Sequence, residues 1–391
     1  MTRDEPMRIP FAKPLFGEEE VLRVADVVRS GWVSQGPQVA EFETLMAEFC
    51  GAEEAVATNS CTSAMWLALL ITGIGQDDEV ICPSFTCMAT ANAIVRAGAI
   101  PVFAEIDPRT FNLDPAAVSA AITPRTRAIL GVDQIGLPAE WDALSELAAE
   151  HNLALVEDAA CALGGEYKGK RTGQLGCPAT FSFHPRKIIA TGEGGMIVLN
   201  DAEAADRARQ FRSHGASVSD LVRHKAEGAI IADYPEPGFN IRMTDMQGAL
   251  GVIQMARLPW LLQERRRLAR RYDLALSQLE EIQIPWTPPH ALHAYQSYLI
   301  RLRKGCQVSR DELMATLIAS GVACRHGIAP LHWEPAFRNR NSELSLPVTE
   351  DAARTTIFLP IFPGLSDLEQ DYVIDVIRSS LQSGRAKRRP A

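Results

Sequence analysis

The amino-acid sequence predicts an α/β protein, in which a large domain with a mostly parallel, doubly wound sheet precedes a smaller α+β domain. Three observations support this prediction. At 391 residues the chain is long enough for two domains. Strand patterns alternate with helix patterns through the first half of the chain, as they do in βαβ units. From about residue 260 the alternation ends, and isolated strands and helices are joined by segments rich in proline and glycine.

Composition excludes several classes of protein. The net charge of -9 argues against nonspecific binding of nucleic acid by the whole chain. The longest apolar run, Ala64 to Ile71, is too short to cross a bilayer, and residues 1–10 lack the apolar core of a signal peptide. The eight cysteines form no CxxC pair, which argues against a zinc ribbon. We therefore expect no metal site, no membrane partner and a cytoplasmic location.

Periodicity places the elements of the large domain. Apolar residues recur on one face of Glu18–Ser30, and Gly31 is typical of the position after a helix. The same criteria apply down the chain. Further helices are predicted at 38–50, 64–70, 90–97, 115–122, 141–151 and 202–211, and strands at 54–58, 79–82, 100–103, 128–132, 153–158, 179–183 and 196–199.

The second half of the chain is less regular. A long helix is predicted from Thr244, with a break at Pro259 and a basic continuation over 263–279. Beyond it, strands are predicted at 282–287 and 298–302, and helices at 310–320 and 365–380. The predicted division is an N-terminal arm (1–15), a large domain (16–258), a small domain (259–382) and a disordered basic tail (383–391).

Polar side chains follow several of the predicted strands. In a doubly wound sheet the ligand lies beyond the carboxyl ends of the strands. Those ends carry Asn59–Ser63, Phe85–Cys87, Asp133, Asp158 and Lys187. We therefore expect these residues to converge on one crevice. The turn at Asn59–Ser63 begins an apolar helix, so it is either an anion site at the helix N-terminus or an ordinary Ser/Thr cap.

An acid at one strand end and a lysine just past the next suit an enzyme that uses pyridoxal 5'-phosphate (PLP). The lysine, here Lys187, forms a Schiff base with the cofactor aldehyde, and the carboxylate, here Asp158, keeps the pyridine nitrogen protonated. Each residue alone also has an ordinary interpretation, as a surface lysine and a helix cap. Glu157 precedes Asp158 in the same strand and is expected to point to the opposite face.

Several segments resemble the DegT/DnrJ/EryC1/StrS family of sugar aminotransferases, in that family's order and spacing. They are SGWVSQGPQVAEFE (30–43), NSCTSA (59–64), DEVICPSFT (78–86), VEDAACALGG (156–165), FSFHPRKIIATGEGG (181–195), RSHG (212–215) and PGFNIRMTDMQGAL (237–250). The resemblance covers nearly the whole chain. It implies the fold-type I architecture of PLP-dependent transferases, PLP as the cofactor, and a homodimer with shared active sites.

The resemblance also implies roles for individual residues. Lys187 resembles the Schiff-base lysine, and Asp158 resembles the partner of the pyridine nitrogen. Asn240 resembles a residue that reaches the phosphate of the neighbouring subunit. The phosphate ligands from the same subunit correspond to Thr62, Ser63 and Ser182.

Three positions depart from the commonest family pattern. Cys161 stands where the family often has Gln or His near the 3-hydroxyl of the cofactor. Cys87 stands where many members stack an aromatic ring on the pyridine. Asp133 stands where many members have a His that touches substrate. The contacts to Lys187, Asp158 and the phosphate remain, so PLP binding is expected to survive.

The implied activity is transfer of an amino group from glutamate or glutamine to a keto-sugar, nucleotide-linked, by ping-pong transamination. Candidate substrate residues, each also compatible with a plain surface or turn role, are His184, Arg223, Lys225, Arg325 and His326.

A keto-cyclitol aminotransferase and a sugar dehydratase that uses PLP or pyridoxamine phosphate on the same scaffold stay open, as does a non-catalytic PLP-binding regulator. Lys187 argues against the dehydratase, whose members usually have His there. A nicotinamide dehydrogenase is disfavoured, because no GxGxxG follows a strand.

Overall fold

A seven-stranded sheet lies at the centre of the computed structural model, which describes residues 7–218 and 231–386. Its strands are β1 (Glu54–Thr58), β2 (Glu79–Pro83), β3 (Ile100–Ala104), β4 (Thr126–Val132), β5 (Ala154–Asp158), β8 (Ala179–Ser182) and β9 (Gly195–Leu199). Their order in the sheet is β1-β9-β8-β5-β4-β2-β3. The pairs β3–β2, β2–β4, β4–β5 and β5–β8 are parallel, and β9 is antiparallel to β8 and β1. The predicted mostly parallel α/β sheet is confirmed.

Helices cover both faces of this sheet. They are α1 (Glu18–Ser30), α2 (Pro37–Cys50), α3 (Cys61–Ile71), α4 (Met88–Arg96), α5 (Pro115–Ala121), α6 (Trp141–Glu150) and α7 (Ala202–Phe211). The bounds of α1, β1 and α7 are those predicted from periodicity. In contrast, α3 begins three residues before the predicted start at Ala64, because the Ser60 side chain accepts the N–H of Ser63 and caps the helix.

A single long helix, Asp245–Leu276, continues through Pro259, so the predicted break there is wrong. Proline removes one helical hydrogen bond and usually kinks or ends a helix. Here Leu258, Leu261 and Leu262 on either side of it are buried in the core beneath the sheet. This packing stabilises the helix on both sides of Pro259 and offsets the lost bond.

Two smaller sheets complete the fold. The first has the order β10-β12-β14-β13, and the second has the order β11-β6-β7. Their strands are β6 (Glu166–Tyr167), β7 (Lys170–Arg171), β10 (Ile282–Gln283), β11 (Ala291–Leu292), β12 (Tyr298–Leu302), β13 (Arg325–His326) and β14 (Thr356–Leu359). The helices that follow the long helix are Arg310–Ala319, Pro347–Thr355 and Asp367–Ala386. Short 3-10 turns lie at Gln134–Gly136, after β4, and at Leu331–Trp333.

The predicted domain boundaries do not all coincide with the ends of these elements. The boundary after residue 258 falls inside the long helix, so the division itself stays a prediction. The last helix ends at Ala386, and the first four residues of the predicted tail are therefore helical. Residues 387–391 of the tail and residues 219–230 lie outside the described residues. Within the described ranges, no helix has the length and apolar character needed to cross a membrane.

Candidate active site

The side chains of Lys187, Asp158 and Cys161 meet at the carboxyl ends of β5 and β8. Asp158 is the last residue of β5, which pairs in parallel with β8, and Lys187 follows β8 in a turn. Nζ of Lys187 donates to Sγ of Cys161 at 3.1 Å. The charges of Lys187 and Asp158 act on one another across this crevice. The structure thus brings the predicted amine and carboxylate together.

The carboxylate of Asp158 is 4% exposed and is held from two sides. Oδ1 accepts the backbone N–H of Ala160 at 3.1 Å, and Oδ2 accepts the hydroxyl of Thr90 at 3.1 Å. Burial raises the pKa of Asp158, whereas the Ala160 N–H, the charge of Lys187 and the Thr90 hydroxyl act to lower it. Sequence reasoning missed Thr90, which is far from Asp158 along the chain and belongs to α4.

The amine of Lys187 lies among groups that favour its charged form. Burial acts to lower the pKa of Lys187, but the charge and hydrogen bond of Cys161 and the charges of Cys61 and Asp158 act to raise it. The net shift of the Lys187 pKa is upward. Without a cofactor, the amine is therefore held as an ammonium group.

The turn before α3 forms a polar pocket. Oγ of Ser63 donates to Oδ1 of Asn59 at 2.8 Å, and Thr62 beside it is half-buried. A Cβ atom at Gly195 would lie 2.4 Å from the backbone nitrogen of Cys61, so only glycine lets β9 approach the helix start this closely. Ser182 pairs with Gly195 across β8 and β9. Thr62, Ser63 and Ser182 are thereby placed around one helix N-terminus, where the helix dipole favours an anion.

Asn240 lies on the surface of this chain, next to that turn. It bridges to Ser213, and the carbonyl of the following residue, Ile241, accepts the N–H of Asn59 at 2.8 Å. Its side chain is exposed. The segments RSHG and PGFN, which are distant from NSCTSA in sequence, therefore lie next to it in the fold.

Asp133 does not join the crevice, and the expectation that it does is wrong. Its Oδ1 accepts the N–H of Ala139 at 2.8 Å and Nε1–H of Trp141 at 2.9 Å, and the residue has no exposed surface. Its carboxyl group also interacts electrostatically with that of the buried Glu157. Glu157 accepts the N–H of Gly173 and points away from Asp158, as predicted. Strand alternation, which turned Glu157 away, also brings Asp133 to that side.

The remaining predicted residues have mixed placements. Cys87 is exposed at the cap of α4. Nδ1 of His184 accepts the N–H of Arg186 at 3.3 Å, and burial lowers the pKa of His184. Arg325 and His326 lie in β13, where Arg325 stacks on Phe11, and no described hydrogen bond or ion pair joins either to Lys187 or Asp158. The other two substrate candidates, Arg223 and Lys225, lie outside the described residues.

Several residues of the resembling segments hold the scaffold. The buried Arg212 pairs with Glu43 and donates to the carbonyl of Ala57 at 2.7 Å. Asp245 accepts the N–H of Val39 at 2.9 Å, in the first turn of α2. These contacts join the segments 30–43, 212–215 and 237–250. Their side chains fix the crevice without entering it.

The residues of the crevice fit PLP. The cofactor needs an amine for its aldehyde, a carboxylate for its pyridine nitrogen and hydrogen-bond donors for its phosphate. The charges of Asp158 and Lys187 both act on the thiol of Cys61, the first residue of α3, so the anion pocket lies beside the amine and the acid. In the part of the chain that the structure describes, no cluster of three or more His, Cys, Asp or Glu side chains could hold a metal ion.

Known proteins match nearly the whole chain. Residues 14–378 match the DegT/DnrJ/EryC1/StrS aminotransferase family. The chain is 37% identical over 374 residues to the spore coat polysaccharide biosynthesis protein SpsC of Bacillus subtilis (strain 168), covering 95% of this chain and 96% of SpsC. The crystal structure of DesV from S. venezuelae has a TM-score of 0.87 at 36% identity, covering 96% of this chain and 99% of that one. The PLP form of Spr1654 from Streptococcus pneumoniae has a TM-score of 0.88 at 28% identity, covering 97% and 100%.

Proposed function

Because this chain belongs to the DegT/DnrJ/EryC1/StrS aminotransferase family and is a PLP-dependent aminotransferase, we propose that it aminates the keto group of a nucleotide-linked sugar. The proposed donor is glutamate or glutamine, and the two half-reactions alternate at one site. The observation that carries this proposal is the meeting of Lys187 and Asp158 in one crevice. A relative named for spore coat polysaccharide biosynthesis supports a sugar as the acceptor.

The proposed chemistry divides between the two charged groups. When bound, PLP supplies an aldehyde that binds amino groups covalently and a ring that withdraws electrons from the bond being broken. Nζ of Lys187 takes the proton from the α-carbon of the amino donor, and it returns a proton to the former keto carbon of the sugar in the second half. Asp158 presents its carboxylate to the ring nitrogen, and its burial excludes water from that contact.

The proposed phosphate site is the pocket at the start of α3. Thr62, Ser63 and Ser182 supply hydroxyl groups there, and the helix dipole adds a favourable field. Asn240, exposed on the same chain, is proposed to complete the pocket of a second protomer in a homodimer. Each dimer then has two sites, and each site uses residues of both chains.

A two-stage assay tests the proposed activity. In the first stage, PLP-loaded protein meets L-glutamate or L-glutamine, and we expect the visible absorbance of the aldehyde form to disappear with one oxo acid formed per site. In the second stage, the donor-free protein meets nucleotide-linked keto-sugars, free keto-sugars and keto-cyclitols, and mass spectrometry identifies aminated products.

The outcomes of this assay separate the candidate functions. Amination of nucleotide-linked sugars, with return of the absorbance, supports the proposal. Amination of cyclitols alone supports the cyclitol alternative, and a deoxygenated product without amino transfer supports the dehydratase. Failure to consume either amino donor contradicts the proposal.

A subunit-mixing experiment tests the shared site. Lys187→Ala and Asn240→Ala homodimers are each expected to be impaired, because every site in them lacks one group. Mixed dimers carry one site in which both groups are intact, so activity should reappear after the two variants are unfolded and refolded together. Activity that does not reappear, although the mixed dimers form, argues that Asn240 serves its own chain.

A further inference from the structure

A chain of two buried hydroxyl groups leads from the start of α4 to the carboxylate of Asp158. Oγ1 of Thr90 donates to Oδ2 of Asp158 at 3.1 Å, and Oγ1 of Thr86 lies 3.0 Å from Oγ1 of Thr90. Thr86 is 3% exposed and Thr90 is 0% exposed. Neither threonine belongs to the site that the family resemblance implies.

The chemistry of Asp158 fixes the direction of this chain. An ionised carboxylate can only accept hydrogen bonds, so the hydrogen of the Thr90 hydroxyl points at Asp158. The oxygen of Thr90 is then free to accept the hydrogen of the Thr86 hydroxyl. Two hydroxyl dipoles aligned in this way strengthen one another in a buried environment.

The two oxygens of the carboxylate are held separately. Oδ1 accepts from the backbone N–H of Ala160, and Oδ2 accepts from Thr90. One donor on each oxygen fixes the rotation of the carboxylate plane. The lone pairs that these donors leave unused can accept a hydrogen bond from the crevice side.

The position of Thr90 is set by packing. It lies in α4, where Ala91, Ala93 and Ile94 are buried against the core that also contains β2 and α3. The N–H of Thr90 donates to the carbonyl of Cys87 at 3.1 Å. A hydroxyl on a backbone held this firmly has little freedom to leave its acceptor, and buried Asp158 has no ready substitute for it.

We propose that Thr90, supported by Thr86, is a positioning residue for the cofactor: it holds the Asp158 carboxylate in the one orientation that pairs with the protonated pyridine nitrogen. The proposal rests on the proposed function, because it requires Asp158 to face the heterocycle. Thr90 acts through Asp158 and does not touch the substrate. Without its hydroxyl, the buried Asp158 turns more freely and pairs less well with the ring N–H.

The test uses Thr90→Val, which keeps the shape of the side chain and removes the hydroxyl. The full-length protein is stripped of cofactor and given PLP labelled with 15N at the ring nitrogen. We expect the PLP dissociation constant to rise roughly tenfold. We also expect the 15N resonance, measured at neutral pH by solid-state NMR, to move toward that of an unprotonated pyridine. Thr90→Ser restores the hydroxyl and should restore both values, whereas Thr86→Val should shift both in the same direction by less.

Thr356→Val is the matched control. Thr356 is also fully buried, but its hydroxyl donates to the carbonyl of Ala352 at 2.7 Å, in the half of the molecule that holds the four-stranded sheet. This change should leave the PLP dissociation constant and the 15N resonance at their wild-type values. If it alters them as much as Thr90→Val does, the proposal is overturned, because any buried hydroxyl would then have the effect.

Thermal melting shows which variants fold. If Thr90→Val does not fold, Thr86→Val takes its place as the deciding variant. If the deciding variant folds but keeps the wild-type affinity for PLP and the wild-type 15N resonance, the proposed role of the two hydroxyl groups is overturned. Failure of the proposed function looks different: the wild-type protein then binds PLP without taking an amino group from glutamate or glutamine.

Discussion

Glu157 and Asp158 are consecutive residues at the end of β5, yet their carboxyl groups lie on opposite faces of the sheet. Asp158 faces the crevice, where it accepts from Thr90 and Ala160 and interacts with the charge of Lys187. Glu157 faces the other layer, where it accepts from Gly173 and lies within electrostatic reach of a second buried acid, Asp133. Both acids are buried: Asp158 is 4% exposed and Glu157 is 0% exposed.

Burial alone therefore does not decide what a carboxyl group does in this protein. On the crevice face, burial raises the pKa of Asp158, while two hydrogen-bond donors and the charge of Lys187 oppose that rise. On the opposite face, burial and a neighbouring acid both favour a proton, and the pKa of Glu157 lies well above its usual value. Burial likewise raises the pKa of Asp133 to about 7. One face presents a carboxyl group to the crevice, and the other holds two buried acids, Glu157 and Asp133, whose protonated forms are favoured by burial.

The largest expected effect comes from removing the cation of the crevice face. Lys187→Ala should lower kcat by at least about 10⁴-fold, because the group proposed to move the proton is lost. The measurement is oxo acid formed from glutamate or glutamine under single-turnover conditions. Lys170→Ala, a change at an exposed lysine of β7, is the control and should retain turnover. Full activity in Lys187→Ala would refute the assignment.

The second prediction compares the two acids directly. Asp158→Asn should lower kcat by about 10²–10³-fold, since the charge opposite the ring nitrogen disappears while the shape remains. Glu157→Gln should leave kcat close to wild type, because its side chain lies behind the sheet. Steady-state rates for the two variants give the ratio. Equal losses in both would mean that the faces do not differ as described.

The third prediction concerns the two buried acids, Asp133 and Glu157. The folded-state pKa of Asp133, about 7, is above its ordinary value of 3.8, so between these values the folded state binds more protons than the unfolded state. The free energy of unfolding of the cofactor-free protein should therefore fall as pH rises from about 4 to above about 7. Glu157→Gln should reduce this fall and stabilise the protein by roughly 1–3 kcal/mol at pH ~8.

Urea unfolding across this pH range measures the free energy of unfolding of the wild-type protein and of Glu157→Gln. Asp142→Asn, at an exposed acid that pairs with Lys168, is the control and should keep the wild-type slope. A Glu157→Gln variant with an unchanged slope would show that Glu157 does not contribute to this pH dependence.

The smallest effect is expected at Cys161. Its sulfur accepts from Nζ of Lys187 at 3.1 Å and acts to raise the pKa of the amine. Cys161→Ala should lower that pKa, so a larger fraction of the amine is uncharged near neutral pH and cofactor-free protein takes up PLP faster, by severalfold at most. Absorbance-monitored uptake at several pH values checks this, with Cys324→Ala, a change at a residue packed against the core of the four-stranded sheet, as the control. Slower uptake in Cys161→Ala would contradict the prediction.

The sequence by itself determined the order of the elements of the seven-stranded sheet and pointed to Lys187 and Asp158 as the candidate pair. It did not predict strands β6, β7, β11, β13 and β14 or the helix Pro347–Thr355. The bounds of α1, β1 and α7 follow from local periodicity, because a one-sided apolar pattern specifies a helix or strand wherever the chain later packs. Lys187 and Asp158 were identified because strand ends in a parallel sheet meet at one edge, and because the surrounding segments resemble those of one family. Strand alternation also placed Glu157 on the opposite face.

Only the tertiary structure decided which way the other polar groups turn and what they touch. Strand alternation places Asp133 on the Glu157 side, but its partners there, Ala139 and Trp141, are supplied by the segment packed against that face. The contact of Thr90 with Asp158 joins residues 68 positions apart, and the helix through Pro259 depends on a core assembled from distant segments. Local patterns fix backbone periodicity over a few residues, whereas these contacts depend on packing between segments far apart in the chain, which no short stretch of sequence contains.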